Sequence, residues 1–337
     1  MTTIGIIFGG ANSEHEVSCN SARSVASHLD TNRFDIALIG IGRDGRWHRV
    51  PAIDDLADAV SGARLPDLGG IDVVFPLLHG RFGEDGTVQG LLELAGVPYV
   101  GCGVLSSALA MDKILAQRVL GLAGFSTIPT DSVTAATADD ASSIAEGFGY
   151  PVFVKPNRAG SSVGASWVAS ADDLAAAVAL ALQHDKTALI QQAMTGDEVD
   201  LGVLQQLDGS LVVGAPLRIV TEDSTAFFDY TAKYTAGGGA TLEVPAQIPD
   251  AATERLRELA MLAFRTLDCE GLARVDFFLA ADGTITLNEV NTLPGLTAFS
   301  QYPRMWRAVG VSYTELLSRL IDRAVVAFSA ERSVVAT

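Results

Sequence analysis

The chain has 337 residues, 48% of them hydrophobic and 19% charged, which is typical of a globular protein with a large core. Its formal net charge of -17 argues against nucleic acid or an anionic membrane surface as a partner, because both require a basic face. Cys19, Cys102 and Cys269 form no CxxC pair, which indicates neither a disulfide framework nor a zinc knuckle and favours a reducing cytoplasm. The N-terminus lacks a basic signal segment and no apolar stretch is as long as a membrane helix, so we expect a soluble cytoplasmic protein.

Residues 1–104 predict an open α/β domain. The apolar run IGIIF (4–8) precedes two glycines and the amphipathic segment SEHEVSCNSARSVASHLD, a pattern typical of strand, turn and helix. FDIALIGI (34–41) and IDVVFPLLHG (71–80) predict further strands, and TVQGLLELAG (87–96) predicts a helix. This alternation favours a parallel sheet with covering helices.

The rest of the chain predicts two α+β domains, residues 105–195 and 196–337. In the first, the strand YPVFVKP, a Gly-Ser turn and the helix DDLAAAVALALQHD precede the strand TALIQQ. In the second, the strands VDLGVL and SLVVGAPLRIV and a hairpin surround a helix at 251–267. A terminal helix is predicted from Ser312 to about Ala327, and the last residues, SAERSVVAT, are typical of a frayed tail.

The segment RVDFFLAADGTITLNEVN (274–291) predicts a hairpin, because Asp282-Gly283 favours a tight two-residue turn. The implied register pairs Phe278 with Leu287, Asp276 with Glu289, and Arg274 with Asn291. Facing side chains lie about 5 Å apart, where two like charges repel by roughly 3 kcal/mol at an effective dielectric near 20. The two facing acids therefore need a cationic partner.

Two partners are possible for these acids. A divalent cation bound by Asp276, Glu289 and Asn291 would turn the repulsion into attraction, because Mg²⁺ prefers carboxylate and amide oxygens. Alternatively, Arg274 lies on the same strand face as Asp276 and could neutralise the acids as an ion cluster. The sequence pattern leaves both interpretations open.

The segment FVKPNRAGSSVG (153–164) places Lys155 at the end of a strand, before a turn that contains Ser161 and Ser162. Successive backbone N–H groups of such a turn can bind an anion. The segment matches neither the P-loop pattern nor GxGxxG, and a turn without a ligand is the alternative. The nearby lysine and the acidic hairpin favour the anion-binding interpretation.

Glu16 has two possible roles. It lies three residues after Ser13, the spacing of a capping box, and could simply cap the first helix. It could instead face the pocket beyond the carboxyl end of the first strand, where open α/β sheets bind ligands, and receive an ammonium group there. The spacing alone does not distinguish these roles.

Two further segments carry polar side chains in glycine-rich loops. His79 in HGRFGEDGT is either structural or a hydrogen-bonding partner for a substrate. The aromatic residues of FFDYTAKYTAGGGAT (227–241) either belong to the core or begin a mobile flap. The three glycines favour a flap that carries Lys233 and Tyr234 over a site.

Several motifs in order along the chain resemble one known family. KP-x3-GSSVG, R-x-D facing E-x-N, and NTLPG resemble the ATP-grasp superfamily. GGxxSEHEVS, LHGxxGEDG, MDK, DYxAKY and NTLPGxTxxS resemble more closely the D-alanine:D-alanine ligases, from about residue 4 to 325. The resemblance implies an ATP-grasp fold in which the two α+β domains enclose the nucleotide. It also implies a homodimer.

The resemblance implies a reaction in which ATP phosphorylates one D-alanine and the amine of a second attacks the acyl phosphate, for peptidoglycan precursor synthesis. For ATP, it implies that Lys113 and Lys155 hold phosphates, that Ser161 and Ser162 cover the transferred phosphoryl group, and that Lys233 lies near the γ-phosphate. The same likeness implies two Mg²⁺ ions, which Mn²⁺ could replace, on Asp276, Glu289 and Asn291. Phosphoryl transfer depends mostly on such positioning and charge neutralisation.

For the amino acids, the resemblance implies that Glu16 binds the first D-alanine's ammonium and that Ser300 binds the second one's carboxylate. Arg274 and the N–H of Gly295 would stabilise the tetrahedral oxyanion. The likeness places His79 and Tyr234 near the second substrate. A serine of the turn, Ser161 or Ser162, would link Glu16 to Tyr234 by hydrogen bonds and close the flap.

One residue departs from the family pattern. Glu198 matches the ribose-binding acid, but Gln191 stands where many relatives have a glutamate that accepts a hydrogen bond from adenine. A glutamine oxygen accepts the same bond without charge assistance, so we expect ATP binding to persist but to be weaker.

Two other functions fit the sequence. One is a related ligase with a different second substrate, such as D-serine. The other is a regulatory or scaffold protein that binds a nucleotide without catalysis.

Overall fold

The structure is a computed structural model that describes residues 1–59, 62–221 and 240–335. These residues form three β-sheets with covering helices. No helix among them is long and apolar enough to cross a membrane. The predicted flap residues Phe227, Phe228, Lys233 and Tyr234 lie outside the described residues.

The first sheet has the strand order β3-β2-β1-β4 and confirms the predicted parallel core. Its elements are β1 (Thr2–Gly9), α1 (His15–His28), β2 (Phe34–Ile41), β3 (Trp47–Val50), β4 (Val73–Pro76) and α2 (Thr87–Ala95). β1 pairs in parallel with β2 and β4, whereas β3 is an antiparallel edge strand that the sequence did not predict. The carboxyl ends of β1 and β4 therefore meet at one edge, which brings the loops after them together.

The second sheet is antiparallel, with the order β5-β8-β6-β7. Two helices precede it, α3 (Val104–Met111) and α4 (Lys113–Leu122). The sheet and its helices are β5 (Thr130–Thr134), α5 (Ala141–Phe148), β6 (Val152–Pro156), β7 (Ser166–Val168), α6 (Ala171–His184) and β8 (Thr187–Gln192). The loop from β6 to β7 contains the predicted Gly-Ser turn.

The third sheet follows the path β12-β11-β9-β13-β14, with β10 paired to β9. Its strands are β9 (Asp197–Gln205), β10 (Leu211–Val213), β11 (Leu217–Thr221), β12 (Ala240–Glu243), β13 (Leu272–Leu279) and β14 (Ile285–Asn291). The helices are α7 (Asp250–Thr266), α8 (Gln301–Ala308) and α9 (Tyr313–Val335). The frayed-tail prediction was wrong as far as Val335, because residues 328–335 contain no glycine or proline that would end α9.

The β13–β14 hairpin has the predicted residue pairs at the end far from its turn, but the pairs near the turn differ from the prediction. Asp276 faces Glu289 and Arg274 faces Asn291, as predicted. The predicted pair of Phe278 with Leu287 was wrong, because Phe278 faces Thr286 instead. The turn is one residue longer than predicted, as shown by the hydrogen bond from Ala280 N to Thr284 O, and a bulge after Asp276 restores the register.

The hydrophobic cores cross between parts of the chain that are distant in sequence. The core of the first sheet contains Ile4 and Phe8 together with Leu316 and Leu320 of α9. The core of the third sheet likewise contains Leu120 of α4. The first and third sheets are tied together by one apolar cluster that also contains Leu204 and Leu272, whereas the second sheet has a core of its own.

Candidate active site

A cleft of about 660 Å³ is lined by residues from all three sheets and their loops. Every predicted site residue that the structure describes lines this cleft, except Asp276. The lining set comprises Glu16, His79, Lys113, Lys155, Ser161, Ser162, Gln191, Glu198, Arg274, Glu289, Asn291, Gly295 and Ser300. Asp276 is 2% exposed and contacts Arg274 and Asn291.

Glu16 lines the cleft, in agreement with one of its two predicted positions, but it lies at the exposed rim. Its side chain is 65% exposed and forms an ion pair with Arg43 at 2.6 Å. A serine of the turn was expected to bond Glu16, but the Ser161 hydroxyl donates to Glu14 Oε1 at 2.5 Å instead. The capping-box alternative is also wrong, because α1 begins at His15 with Glu14 as its N-cap and no side-chain cap bond. Sequence reasoning missed Glu14, which is 6% exposed and lines the cleft.

Two glycine loops close around the Glu14 carboxylate. A Cβ atom added at Gly80 would lie 1.9 Å from Glu14 Oε2, and one added at Gly160 would lie 3.2 Å from Oε1. Gly80 also has a φ of 70°, which favours glycine. Asn12 holds the first loop, because its side-chain amide donates to the carbonyls of His79 and Arg81 at 2.9 Å each. Glu14 was detectable in principle as the acid nearer to the end of β1.

The loop after β4 places two titratable groups beside Glu14. His79 Nε2 lies 2.9 Å from Ser21 Oγ, and burial lowers the pKa of His79 to about 4, so the ring is neutral at pH 7. Glu84 accepts a hydrogen bond from Gly80 N at 2.6 Å. Burial, followed by the charge of Glu14, raises the pKa of Glu84 to about 8. Glu84 lies in the motif HGRFGEDGT but was not predicted as a site residue.

The Gly-Ser turn, which the sequence predicts to bind an anion, is a tight turn closed by a hydrogen bond from Val163 N to Gly160 O at 3.0 Å. Ser161 and Ser162 both have positive φ, 51° and 58°. The turn is fastened from α4, because Lys113 Nζ donates to the carbonyl of Ala159 at 2.8 Å. Lys113 also lies 3.8 Å from Glu289 Oε2, so this lysine connects the turn with the acidic hairpin. Lys155, half-buried at the end of β6, lines the same cleft.

The cleft wall on the second sheet combines Gln191 with apolar neighbours. Gln191 is 2% exposed, and its amide nitrogen donates to Thr130 Oγ1 at 2.8 Å. Phe153 and Trp167 line the same wall and contact each other edge to face, with ring centroids 5.0 Å apart. An aromatic wall with one buried amide is a suitable surface for a planar heterocycle.

The floor on the third sheet is an acidic cluster around one guanidinium. Carboxylate oxygens of Glu198, Asp200 and Asp276 lie within 4.8 Å of one another. Arg274 donates to both oxygens of Asp276 at 2.7 Å, and its Nε lies 3.5 Å from Asp200 Oδ2. Burial alone would lower the pKa of Arg274, but Asp276, Asp200 and Glu289 together raise it well above its ordinary value. The predicted ion cluster of Arg274 and Asp276 is therefore present.

The donor set on this floor also fits a hard divalent cation. Glu289 and Asn291 line the cleft and offer carboxylate and amide oxygens. Asn291 uses its amide nitrogen to donate to Asp276 at 2.8 Å, so its amide oxygen is the atom suited to a cation. A cation that binds Asp276 shares this carboxylate with Arg274.

Gly295 and Ser300 lie together at the start of α8. Ser300 is the N-cap of α8, and its Oγ accepts a hydrogen bond from Thr297 N at 3.1 Å. A Cβ atom added at Gly295 would lie 3.1 Å from this Oγ, so the close approach favours glycine. Gly295 and Ser300 thus line the cleft side by side.

Comparison with known proteins agrees with this arrangement. The family profiles for the D-ala D-ala ligase N-terminus and C-terminus match residues 3–102 and 114–322. D-alanine--D-alanine ligase A of Mesorhizobium japonicum is 42% identical, covering 96% of this chain and 97% of the relative. D-alanine--D-alanine ligase of Rhodococcus erythropolis is 40% identical, covering 96% of this chain and 97% of the relative.

Solved structures give the same result. The D-alanine-D-alanine ligase from Coxiella burnetii is 28% identical with a TM-score of 0.87, covering 100% of this chain and 97% of that one. VanG D-Ala:D-Ser ligase from Enterococcus faecalis is 38% identical with a TM-score of 0.81, covering 96% and 99%. These structures confirm the predicted ATP-grasp fold. The chain belongs to the D-alanine–D-alanine ligase family.

Proposed function

We propose that the protein joins two D-alanines to D-alanyl-D-alanine at the expense of ATP, for peptidoglycan precursor synthesis. The observation that carries this proposal is the single cleft in which an anion-binding turn, two lysines, a buried carboxylate and a guanidinium converge. Those groups match the needs of a reaction that activates a carboxylate by phosphorylation and then joins it to an amine. ATP and D-alanine are the substrates of the proposed reaction.

The proposed binding group for the first D-alanine is Glu14 rather than Glu16. Glu14 lies within the cleft between the two glycine loops, whereas Glu16 pairs with Arg43 at the exposed rim. A buried carboxylate binds an ammonium more strongly than an exposed one, because water screens it less. The Ser161 hydroxyl orients the Glu14 carboxylate and couples it to the phosphate-binding turn.

Phosphoryl transfer is assigned to residues that can neutralise phosphate charge. Lys113 and Lys155 bind phosphate oxygens, and the N–H groups of Ser161 and Ser162 cover the transferred group. Gln191 and Glu198 are assigned to the adenine and the ribose. Lys233, proposed for the γ-phosphate, and Tyr234 lie outside the described residues.

Asp276, Glu289 and Asn291 would hold two Mg²⁺ ions, which Mn²⁺ could replace. Bound there, the metal would supply neutralisation of the phosphate charge. Arg274 donates to both carboxylate oxygens of Asp276 in the structure, which holds this side chain in place beneath the cleft. The ion cluster and the metal site are therefore compatible interpretations of the same residues.

The second D-alanine is assigned to the start of α8 and the β4 loop. Ser300 binds its carboxylate, and His79 and Tyr234 surround it. Because His79 is neutral at pH 7, it does not repel an incoming ammonium or attract an extra anion. Arg274 and the N–H of Gly295 stabilise the oxyanion that forms when the amine attacks.

A second candidate is a ligase that uses D-serine as the second substrate. The D-Ala:D-Ser ligase is 38% identical to this chain, more than the D-alanine-D-alanine ligase structure at 28%. The curated relatives named for D-alanine at 40–42% identity favour the first proposal.

The proposal includes the three domains at 1–104, 105–195 and 196–337, a homodimer and a cytoplasmic location.

The test is phosphate release from ATP and Mg²⁺ with D-alanine, L-alanine or D-serine, with mass detection of the product. We expect release that requires D-alanine and yields the dipeptide. A mixed product formed faster with D-serine would support the second candidate. Tight ATP binding without turnover for any amino acid would support the regulatory or scaffold alternative.

A further inference from the structure

Asp200 is a buried carboxylate to which the sequence interpretation gave no role. It lies on β9 opposite Asp276 of β13 and is 0% exposed. A carboxylate buried in a sheet is costly unless charged or hydrogen-bonding partners compensate it. The contacts of Asp200 therefore indicate what the charge serves.

These contacts join two elements of the site. Asp200 Oδ2 lies 3.5 Å from Arg274 Nε and accepts a hydrogen bond from Gln301 Nε2 at 2.9 Å. Gln301 is the first residue of α8 and directly follows Ser300. One oxygen atom of Asp200 thus contacts both Arg274, which is proposed to stabilise the oxyanion, and the end of α8 that is proposed to bind the second substrate.

The helix is seated closely on the strand that carries Asp200. A Cβ atom added at Gly202 would lie 2.9 Å from the Tyr302 ring, and the Tyr302 hydroxyl donates to Val203 O at 2.8 Å. The bond between Asp200 and Gln301 is the cleft-side end of this contact, because Gln301 lines the cleft and Asp200 does not. Asp200 can therefore act only through its neighbours.

Arg274 is shared between two carboxylates. Asp276 holds two of its nitrogens, but Asp276 is also the proposed metal ligand, so a cation competes with Arg274 for these oxygens. Asp200 is not a proposed metal ligand. Its charge can hold the guanidinium in place whichever partner Asp276 takes.

We propose that Asp200 is a positioning residue that holds the Arg274 guanidinium and the Ser300 end of α8 in register around the second D-alanine. This inference rests on the proposed function, which supplies the roles of Arg274 and Ser300. It adds that the buried carboxylate of Asp200 fixes the position of Arg274 relative to Ser300, the residue proposed to bind the second substrate's carboxylate.

The kinetic test is Asp200→Asn, which keeps the side-chain shape and removes the charge. We expect kcat for dipeptide formation to fall at least tenfold and KM for the second D-alanine to rise several-fold. KM for ATP should stay within twofold, because Lys155 and Gln191 lie on the second sheet. The matched control is Asp197→Asn at the exposed start of β9, whose partner is Arg218 at 3.3 Å, and it should keep all three constants.

The direct test follows the Arg274 Nε–H group by ¹H–¹⁵N NMR with Mg²⁺ and a non-hydrolysable ATP analogue, assigned by its loss in Arg274→Lys. We expect slow solvent exchange in the wild type and exchange at least tenfold faster in Asp200→Asn. Thermal unfolding of both variants shows whether the fold persists. This readout does not depend on turnover.

The outcomes separate the inference from the function it rests on. Unchanged kcat in Asp200→Asn overturns the inference, and so does a parallel loss of ATP affinity and thermal stability, which marks a purely structural role. A wild type that makes no dipeptide from D-alanine overturns the proposed function instead. In that case retained protection of the Arg274 Nε–H in Asp200→Asn overturns the positioning of Arg274, and lost protection supports it.

Discussion

The hydroxyl of Ser161 donates a hydrogen bond at 2.5 Å to Glu14, a residue 147 positions earlier in the chain. This bond connects the loop after β1 with the turn after β6. The carboxylate proposed for the first substrate and the turn proposed for the phosphoryl group therefore move as one unit. Changes at either end should affect both binding events.

Glu14→Gln and Glu16→Gln form a matched pair. We expect Glu14→Gln to raise KM for the first D-alanine by roughly ten- to a hundredfold, because a buried charge-assisted hydrogen bond contributes about 1.5–3 kcal/mol. Glu16→Gln should stay within about threefold, because an exposed ion pair contributes only about 0–1 kcal/mol. Steady-state phosphate release measures both. A larger loss in Glu16→Gln would restore the sequence-based assignment.

Glu289→Gln and Asp276→Asn should lower kcat by orders of magnitude while the fold persists, because each removes charge from the proposed metal site. Asp282→Asn at the exposed hairpin turn is the control, since it makes the same charge change away from the cleft. Rates are measured against Mg²⁺ concentration, with thermal unfolding alongside. Wild-type rates at limiting Mg²⁺ would leave the ion cluster as the only role of these acids.

Gln191→Glu should not strengthen ATP binding, contrary to expectation from sequence. The Thr130 hydroxyl already donates to Ile128 O at 2.8 Å, so Thr130 Oγ1 is the acceptor for the Gln191 amide. A glutamate there would place a buried carboxylate against this oxygen and cost about 1–3 kcal/mol of unfolding free energy. Nucleotide titration and thermal unfolding check this, with Gln192→Glu at the exposed neighbouring position as the stability control. A tighter ATP complex in Gln191→Glu would contradict the prediction.

Glu84→Gln should change how stability depends on pH. Burial raises the pKa of Glu84 to about 8 from an ordinary value of 4.5, so the folded state retains a proton that the unfolded state releases. This contribution is fully present below pH 4.5 and is lost as the pH rises through 8. The wild type loses this stability as the pH rises, whereas Glu84→Gln does not. The free energy of unfolding of Glu84→Gln should therefore increase, relative to that of the wild type, by at least about 1 kcal/mol from pH 5 to pH 8. Denaturant unfolding across this range measures the gain, and a constant difference would refute it.

The sequence predicted the pairing of the acidic residues in the hairpin correctly, but it did not predict the longer turn or the bulge. Counting outward from a two-residue turn at Asp282-Gly283 predicted Asp276 opposite Glu289, and this pairing is confirmed although the turn itself is longer. The longer turn and the bulge cancel each other, and neither has a distinctive residue pattern. The extra residue of the bulge lies on β14 beside Leu287, whose N donates to Ser126 O at 2.8 Å, a contact with a distant part of the chain.

The choice between Glu14 and Glu16 shows a different limit. Both acids lie in the same short motif, and a helix start can be misplaced by one or two residues when only sequence is considered. Because α1 begins at His15, Glu14 points toward the sheet edge and Glu16 toward solvent. Packing of the two glycine loops decides the assignment, and these loops are far from Glu14 in sequence.

The shared core of the first sheet and α9 also constrains how the protein can fold during synthesis. Ile4 and Phe8 are synthesised long before Leu316 and Leu320, which belong to the same cluster. Residues of α1 also pack into this cluster, but the part of the sheet's apolar face that α9 covers stays exposed until α9 is synthesised. Premature release of the chain before α9 would expose this face and favour aggregation, so chaperone dependence should be greatest for C-terminally truncated chains.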